Sequence, residues 1–242
     1  MCLSILLGMW PDSEHEWRMG SGTSSGNSSG EVCDPMRDCP SCFRLVEFRY
    51  ASRSKFPDWH NAPVPSFGPM DARLLIVGLA PGLKGANRTG RPFTGDYAGD
   101  LLYETLLEFG FAKGVYRADP ADGLALADCM ITNAVRCVPP ENKPTPAEIG
   151  KCRPYLAATI AAMPRLRTIL VLGRIAHDST LRTLDRRLAA HPFAHGARHE
   201  LGPQLALFDS FHCSRYNTNT GRLTPEMFKS VFEAIKVELA KS

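Results

Sequence analysis

Two polar loops carry most of the residues in this chain that can do chemistry, and each follows an apolar run. Residues 78–96, GLAPGLKGANRTGRPFTGD, hold five glycines, two prolines, one Asn, two Arg and a closing Asp. Gly78 and Gly82, flanking Ala80 and Pro81, let backbone N–H groups approach a ligand because no Cβ intervenes. Arg88 and Arg91 are suited to phosphates, and Asp96 supplies a carboxylate for acid–base or electrostatic work. The same Asp is also placed to cap a following helix. No Gly-Lys-Ser/Thr follows the strand, which excludes a Walker loop. The second loop lies within residues 204–224, QLALFDSFHCSRYNTNTGRLT. It offers His212, Ser214, Arg215, Tyr216 and Asn217, with Arg222 beyond them. A strand-end imidazole in such a loop serves either structure or proton and hydrogen-bond chemistry.

Cysteines form a third group. The chain has eight. Cys39 and Cys42 make a C-P-S-C pair, and Cys137 and Cys152 bracket the segment VPPENKPTPAEIGK. Four thiolates in two pairs suit zinc or a 4Fe–4S cluster, and spacing alone does not choose between them. The remaining cysteines fit no such pattern. A chain of this size without a secretory signal is a poor candidate for a disulfide framework.

These groups need a scaffold, and the hydrophobic pattern supplies one. Apolar runs predict strands at 73–79, 128–133, 168–173 and 205–210. Helices are predicted at 40–53, 98–111, 145–163, 174–188 and 224–240. Two of them begin Thr-Pro, at Thr145 and Thr224, with Glu148 completing a capping-box pattern in the first. Strands joined by helical crossovers imply a three-layer α/β/α domain with a central four-stranded parallel sheet. Ligands of such sheets bind outside the carboxyl ends of the strands. Asp96, Asn133 and His212 all fall at or just beyond such ends. Asn133 reads equally as a turn residue, and Phe93 as a core aromatic.

Taken together, the two loops resemble the uracil-DNA glycosylase superfamily, and most closely its family 5, the B-type enzymes of broad specificity. The match runs through Gly78-Leu79-Ala80-Pro81, Asn87-Arg88-Thr89-Gly90-Arg91, Phe93-Thr94-Gly95-Asp96 and Thr132-Asn133-Ala134-Val135-Arg136-Cys137. In the second loop, His212-Cys213-Ser214-Arg215-Tyr216-Asn217 stands where the family has His-Pro-Ser-x-x-Asn. Cys213 in place of Pro removes a fixed φ. The A-type enzymes carry Glu where this chain has Leu79, so the resemblance is to the B type.

The resemblance implies a monofunctional glycosylase that flips uracil or another damaged base out of double-stranded DNA and hydrolyses its N-glycosidic bond, starting base excision repair. Asp96 would stabilise an oxocarbenium-like sugar and orient water. His212, helped by backbone N–H groups near Ala80–Gly82, would donate to the departing pyrimidine. Asn133 would pair with the base edge, and Phe93 would stack on it. Asn87 and Ser214 fall inside the same two signatures. Arg88, Arg91 and Arg222 would hold phosphates. Arg215 and Tyr216, with Asn217 beside them, would press into the minor groove. The family places a 4Fe–4S cluster on Cys39, Cys42, Cys137 and Cys152, and implies a monomer.

Composition is compatible with these expectations. Length 242 and 44% hydrophobic residues suffice for one α/β core, and the net charge is only +3. Residues 1–30, including the Gly/Ser-rich stretch 20–30, read as a flexible extension before a single domain at 31–242. No membrane-spanning run is seen, which points to the cytoplasm and the nucleoid. Two other classes fit part of the pattern. One is a damaged-DNA-binding module without turnover. The other is a zinc-stabilised α/β hydrolase acting on free nucleosides.

Overall fold

A computed structural model describes residues 34–241. The expected extension at 1–30 lies outside the described residues. Among the described residues seven strands are formed: β1 (Leu74–Gly78), β2 (Ala112–Lys113), β3 (Ala125–Leu126), β4 (Cys129–Asn133), β5 (Thr168–Leu172), β6 (Arg198–Gly202) and β7 (Leu205–Ser210). The helices are α1 (Phe43–Lys55), α2 (Ala86–Thr89), α3 (Tyr97–Glu108), α4 (Pro146–Ala161), α5 (Arg174–Thr183), α6 (Arg215–Asn219) and α7 (Pro225–Leu239).

Five strands make the main sheet, in the order β4-β1-β5-β7-β6. The first four run parallel, as expected, and β6 adds an antiparallel edge on β7. The sheet therefore has five strands where four were predicted. Every residue of β1, β4 and β5 is buried. Such uninterrupted apolar strands are what a sheet covered on both faces requires. Alternate residues face opposite layers. Leu74, Ile76, Ile131 and Phe208 pack with Leu102, Leu106, Phe228 and Phe232 of α3 and α7. Leu75, Val77, Ile169 and Leu207 pack with Leu156 of α4 and Leu181 of α5.

Local chemistry fixes the helix starts. Thr145 and Glu148 close a capping box on α4, and Pro146 occupies its first turn. Thr224 caps α7 by accepting from Met227 N–H. α1 starts three residues later than predicted and α5 stops at Thr183, five earlier. Among the described residues, no helix is long and apolar enough to cross a membrane.

β1 lies between β4 and β5. The chain thus leaves β1 for one side of the sheet and later returns to the other. That reversal opens a crevice at the carboxyl ends of the strands.

Candidate active site

The crevice holds a cavity of about 350 Å³. That is the size of a small-molecule site, typically ~300–1,000 Å³. Its wall includes Ala80, Pro81 and Gly82 from the loop after β1, Phe93 and Asp96 further along it, Asn133 at the end of β4, and His212, Ser214 and Arg215 after β7. Three segments far apart in sequence therefore meet where the sequence places their chemistry.

Asp96 caps a helix and also lines the cavity. It is the N-cap of α3, with Oδ1 accepting the Gly99 N–H at 3.3 Å. Its carboxylate also faces the glycine loop: a Cβ on Gly82 would come within 3.0 Å of Oδ2, and one on Gly85 would collide with it. Burial raises the Asp96 pKa above the usual carboxylate range, against hydrogen bonds from the Gly99 and Ala98 N–H groups that pull it down.

His212 is held by its own loop. Asn217 Nδ2 donates to the His212 carbonyl at 2.8 Å, and Ser214 caps the short helix α6. The imidazole makes no side-chain hydrogen bond among the described residues. Burial alone lowers its pKa to about 4. At neutral pH the ring is uncharged, a donor on one nitrogen and an acceptor on the other. The Phe93 ring lies 5.9 Å away, tilted by 31°. Phe93 belongs to the core cluster of the α3 and α7 layer and also lines the cavity.

Asn133 is 3% exposed, and its Oδ1 is buried without a hydrogen-bond partner. A buried acceptor left unpaired costs about 1–3 kcal/mol. Its position on a cavity wall leaves that acceptor for a ligand donor.

Several expected contacts are rearranged. Arg91 does not reach solvent phosphates. Its guanidinium is bound bidentately to Asp122, both Nη–Oδ distances being 2.8 Å, and Nε donates to Thr94 Oγ1 at 2.7 Å. The two side chains are 5% and 0% exposed. Phosphate binding by Arg91 is therefore corrected to an internal ion pair, because a desolvated arginine with a matched carboxylate is not free for DNA. Asn87 is likewise buried, donating to Asn61 Oδ1 at 2.9 Å. Gly78 lies against Asn133 and Asn217 donates to the His212 carbonyl, and neither lines the cavity. Arg88 and Arg222 are exposed outside the cavity, Arg222 stacked 4.6 Å from the Phe211 ring centroid. Arg215 lies 5.1 Å over the Tyr97 ring at the cavity rim, and Tyr216 is 72% exposed. Leu79, Ala86, Tyr97, Ala98 and Asn142 also line the cavity. Sequence reading missed them as site residues. Tyr97 and Ala98 adjoin Asp96, whereas nothing local marks Asn142.

The two cysteine pairs converge. Cys39, Cys42, Cys137 and Cys152 line one cavity of about 20 Å³, with Leu45, Val135 and Tyr155. None is in a disulfide. Arg136 N–H donates to Cys152 Sγ at 3.3 Å, and Arg49 Nη1 to Cys137 Sγ at 3.8 Å. Burial pushes Cys137 up to about 12 and Cys152 up to about 11, each helped by the neighbouring sulfurs. Burial also raises Cys42, whereas at Cys39 hydrogen bonds with Ser41 and Tyr155 outweigh burial and lower it; a cationic centre among the four would offset the cost of burying thiolates.

An acidic, an amide and an imidazole group thus gather on one cavity over the strand ends of the sheet, where ligands of such sheets bind. Comparison with known proteins specifies the class. The uracil DNA glycosylase superfamily profile matches residues 65–236. The chain is 45% identical to a type-5 uracil-DNA glycosylase of Thermus thermophilus, over 82% of this chain and 92% of the relative. It is 41% identical to one of Mycobacterium bovis, over 86% and 82%. For one of Pyrobaculum aerophilum the identity is 36%, over 80% and 86%. The chain belongs to the uracil DNA glycosylase superfamily, on its type-5 branch.

Proposed function

We propose that this protein is a uracil-DNA glycosylase that hydrolyses the N-glycosidic bond of an everted base in duplex DNA. The observation that carries this reading is the meeting of Asp96, Asn133 and His212 on one cavity. The Asp96 carboxylate stabilises positive charge growing on the deoxyribose and orients the attacking water. Neutral His212 donates to the oxygen on which the leaving pyrimidine gathers negative charge. The unpaired Asn133 Oδ1 accepts from a base N–H, as the N3–H of uracil would supply. Phe93 packs against the base face.

The wall formed by Ala80, Gly82, Ala86 and Ala98 carries little side-chain bulk. That favours tolerance of several deaminated or alkylated bases. Arg215 and Tyr216 at the rim are placed to occupy the gap left by the everted nucleotide, and exposed Arg88 and Arg222 to meet phosphates.

Cys39, Cys42, Cys137 and Cys152 would hold a 4Fe–4S cluster. Two pairs far apart in sequence meet around one cavity, a four-thiolate donor set that suits such a cluster and that zinc would also accept. The cluster's role would be structural, tying α1 to the start of α4.

The test is base release from duplexes carrying single uracil, hypoxanthine, xanthine or ethenocytosine lesions opposite each normal base. Release of uracil is expected. Tight binding without release would favour the damage-binding reading, and activity on free nucleosides but no duplex would favour the nucleoside hydrolase. Activity on none would overturn the proposal.

A further inference from the structure

Three arginines are buried among the described residues: Arg49, Arg91 and Arg136. Two of them hold carboxylates. Arg91 pairs with Asp122 at 2.8 Å, and Arg136 with Asp34 at 2.7 Å. Arg49, in the middle of α1 and 2% exposed, has no carboxylate partner among the described residues. Its Nη2 donates to the Cys39 carbonyl at 3.1 Å, and its Nε is buried without a hydrogen bond. The Tyr50 ring centroid, 5.9 Å from Cζ, is a weak neutral neighbour. Asp38 feels the Arg49 charge, but Asp38 is exposed and bound to Arg53 at 2.6 Å. A guanidinium keeps its charge in a protein interior, and a buried charge without compensation is expensive.

What stands beside Arg49 is the cysteine cavity. Arg49 lines it together with Cys39, Cys42, Cys137 and Cys152, and Nη1 donates to Cys137 Sγ at 3.8 Å. Lys151 also lines this cavity, but it is exposed. Arg49 is therefore the buried cation of the site. Four thiolates outweigh the positive core of either a zinc ion or a 4Fe–4S cluster, so the loaded centre is a net anion. Neutral thiols would leave the guanidinium uncompensated, and metal-bound thiolates supply the charge it lacks. Such a pair attracts more strongly in the interior than in water and is little screened by salt.

We infer that Arg49 is the built-in counter-ion of the four-cysteine centre, a positioning residue whose guanidinium helps to retain the bound group and favours its more negative oxidation state. The inference rests on reading Cys39, Cys42, Cys137 and Cys152 as ligands, and not on which metal they hold. No electron transfer is assigned to the repair reaction, and the reduction potential serves as a gauge of local charge.

Wild type, Arg49→Met, Arg49→Lys and Lys151→Met, each loaded with iron and sulfide without oxygen, provide the test. Methionine keeps much of the apolar stem without the charge, whereas lysine keeps the charge. Titration with dithionite, followed by visible absorbance, gives the potential of the one-electron couple. That reduction adds one electron to the cluster and breaks no bond. Arg49→Met should bias the couple at least tenfold against the reduced state, a fall of about 59 mV. Arg49→Lys should fall clearly less. Lys151→Met should shift the potential little, and its shift should vanish at roughly 1 M salt, where screening acts within about 3 Å. The Arg49→Met shift should persist there. Melting temperatures report folding separately. An unchanged potential in a folded, loaded Arg49→Met would overturn the inference, as would an equal fall in Arg49→Lys. If Arg49→Met holds no cluster, loading of Arg49→Lys supports the counter-ion, and failure of both overturns it. If the native chain carries zinc and no iron, the cluster reading fails and the counter-ion is decided by zinc release to a chelator. Release should then be at least tenfold faster from Arg49→Met than from wild type or Arg49→Lys, and equal rates overturn the inference. A chain that holds neither metal would sink the cysteine reading and the counter-ion together.

Discussion

Gly78 and Asn133 sit at matched register on adjacent parallel strands, so close that a Cβ on Gly78 would overlap Asn133 Oδ1 and come within 2.6 Å of Phe93 Cζ. The glycine is there for space, since its φ is not in the left-handed region. Gly78→Ala should displace the two side chains that would face the base and cost about 1–3 kcal/mol by overpacking. We expect uracil excision to fall much further than stability does. Comparing single-turnover rate with urea denaturation checks this, and an unimpaired rate would show that the two side chains are not needed where they stand.

Asp96 offers a separation of stability from activity. Burial raises its pKa in the folded state, so ionising it costs the native protein stability as pH rises above the ordinary carboxylate value. Asn is as good an N-cap as Asp and carries no charge. Asp96→Asn should therefore slow excision by roughly a hundredfold to ten-thousandfold, the range for a positioned general base. Its melting temperature should equal or exceed that of wild type. Thermal unfolding beside single-turnover kinetics gives the answer, and a marked loss of stability would mean that the carboxylate is structural.

The pH profile follows from the same two groups. Excision should decline on the acid side as Asp96 takes up a proton, with an apparent pKa above that of a free Asp. His212, held at about 4 by burial, is neutral throughout the working range. No inflection near the usual histidine value of about 6.5 is expected from it. A rate that rises or falls steeply through that value, and that loses the step in His212→Asn, would show the imidazole to be charged in one working state.

The parts of the fold that sequence made legible are those with local cause. β1, β4 and β5 are apolar runs buried on both faces, and α4 and α7 begin with Thr-Pro caps. β6 was missed because Arg198–Gly202 is polar and lies at a half-exposed edge, so its pairing with β7 leaves no apolar run. In the site, Asp96, Asn133 and His212 were legible because each ends an apolar strand or follows one in a dense motif. Arg91 was misread because Asp122, its partner, is 31 residues away in sequence. Asn142 was invisible for a similar reason. It reaches the cavity through the folding of the loop between β4 and α4, which no local pattern announces.

Arg91 and Arg88, three residues apart, should respond oppositely to substitution. Removing one partner of a buried, bidentate pair costs about 3–5 kcal/mol, because the other charge is left stranded. Asp122→Asn should thus lower the melting temperature by at least about 6 °C, at roughly 2–4 °C per kcal/mol for a domain of this size. It should leave the salt dependence of DNA binding unchanged. Arg88→Ala should do the reverse, with little effect on melting and a log–log salt slope smaller by about one. Fluorescence anisotropy across a salt series decides between them, and a reduced slope in a folded Asp122→Asn would restore Arg91 to the DNA surface.

Beneath the His212 loop, β7 ends on a buried charge network. Asp209 Oδ1 lies 2.7 Å from His177 Nδ1, and Oδ2 lies 3.0 Å from His199 Nε2 and accepts the Ala194 N–H at 3.2 Å. His177 Nε2 lies 2.9 Å from the His191 carbonyl. Both His177 nitrogens therefore face acceptors, which only the doubly protonated ring satisfies. Burial opposes that charge, but the hydrogen bond to Asp209 and its negative charge outweigh it and raise the His177 pKa. Raised in the folded state, this group contributes stability that is full below the unfolded-state value of about 6.5 and is lost as pH climbs through the folded value. Urea denaturation should show stability declining between neutral and mildly alkaline pH. His177→Gln, which cannot carry the proton, should be less stable at pH 6 and should flatten that decline. A wild-type stability that is level or rising across the same range would show that the ring is neutral and that the network holds the His212 strand by packing alone.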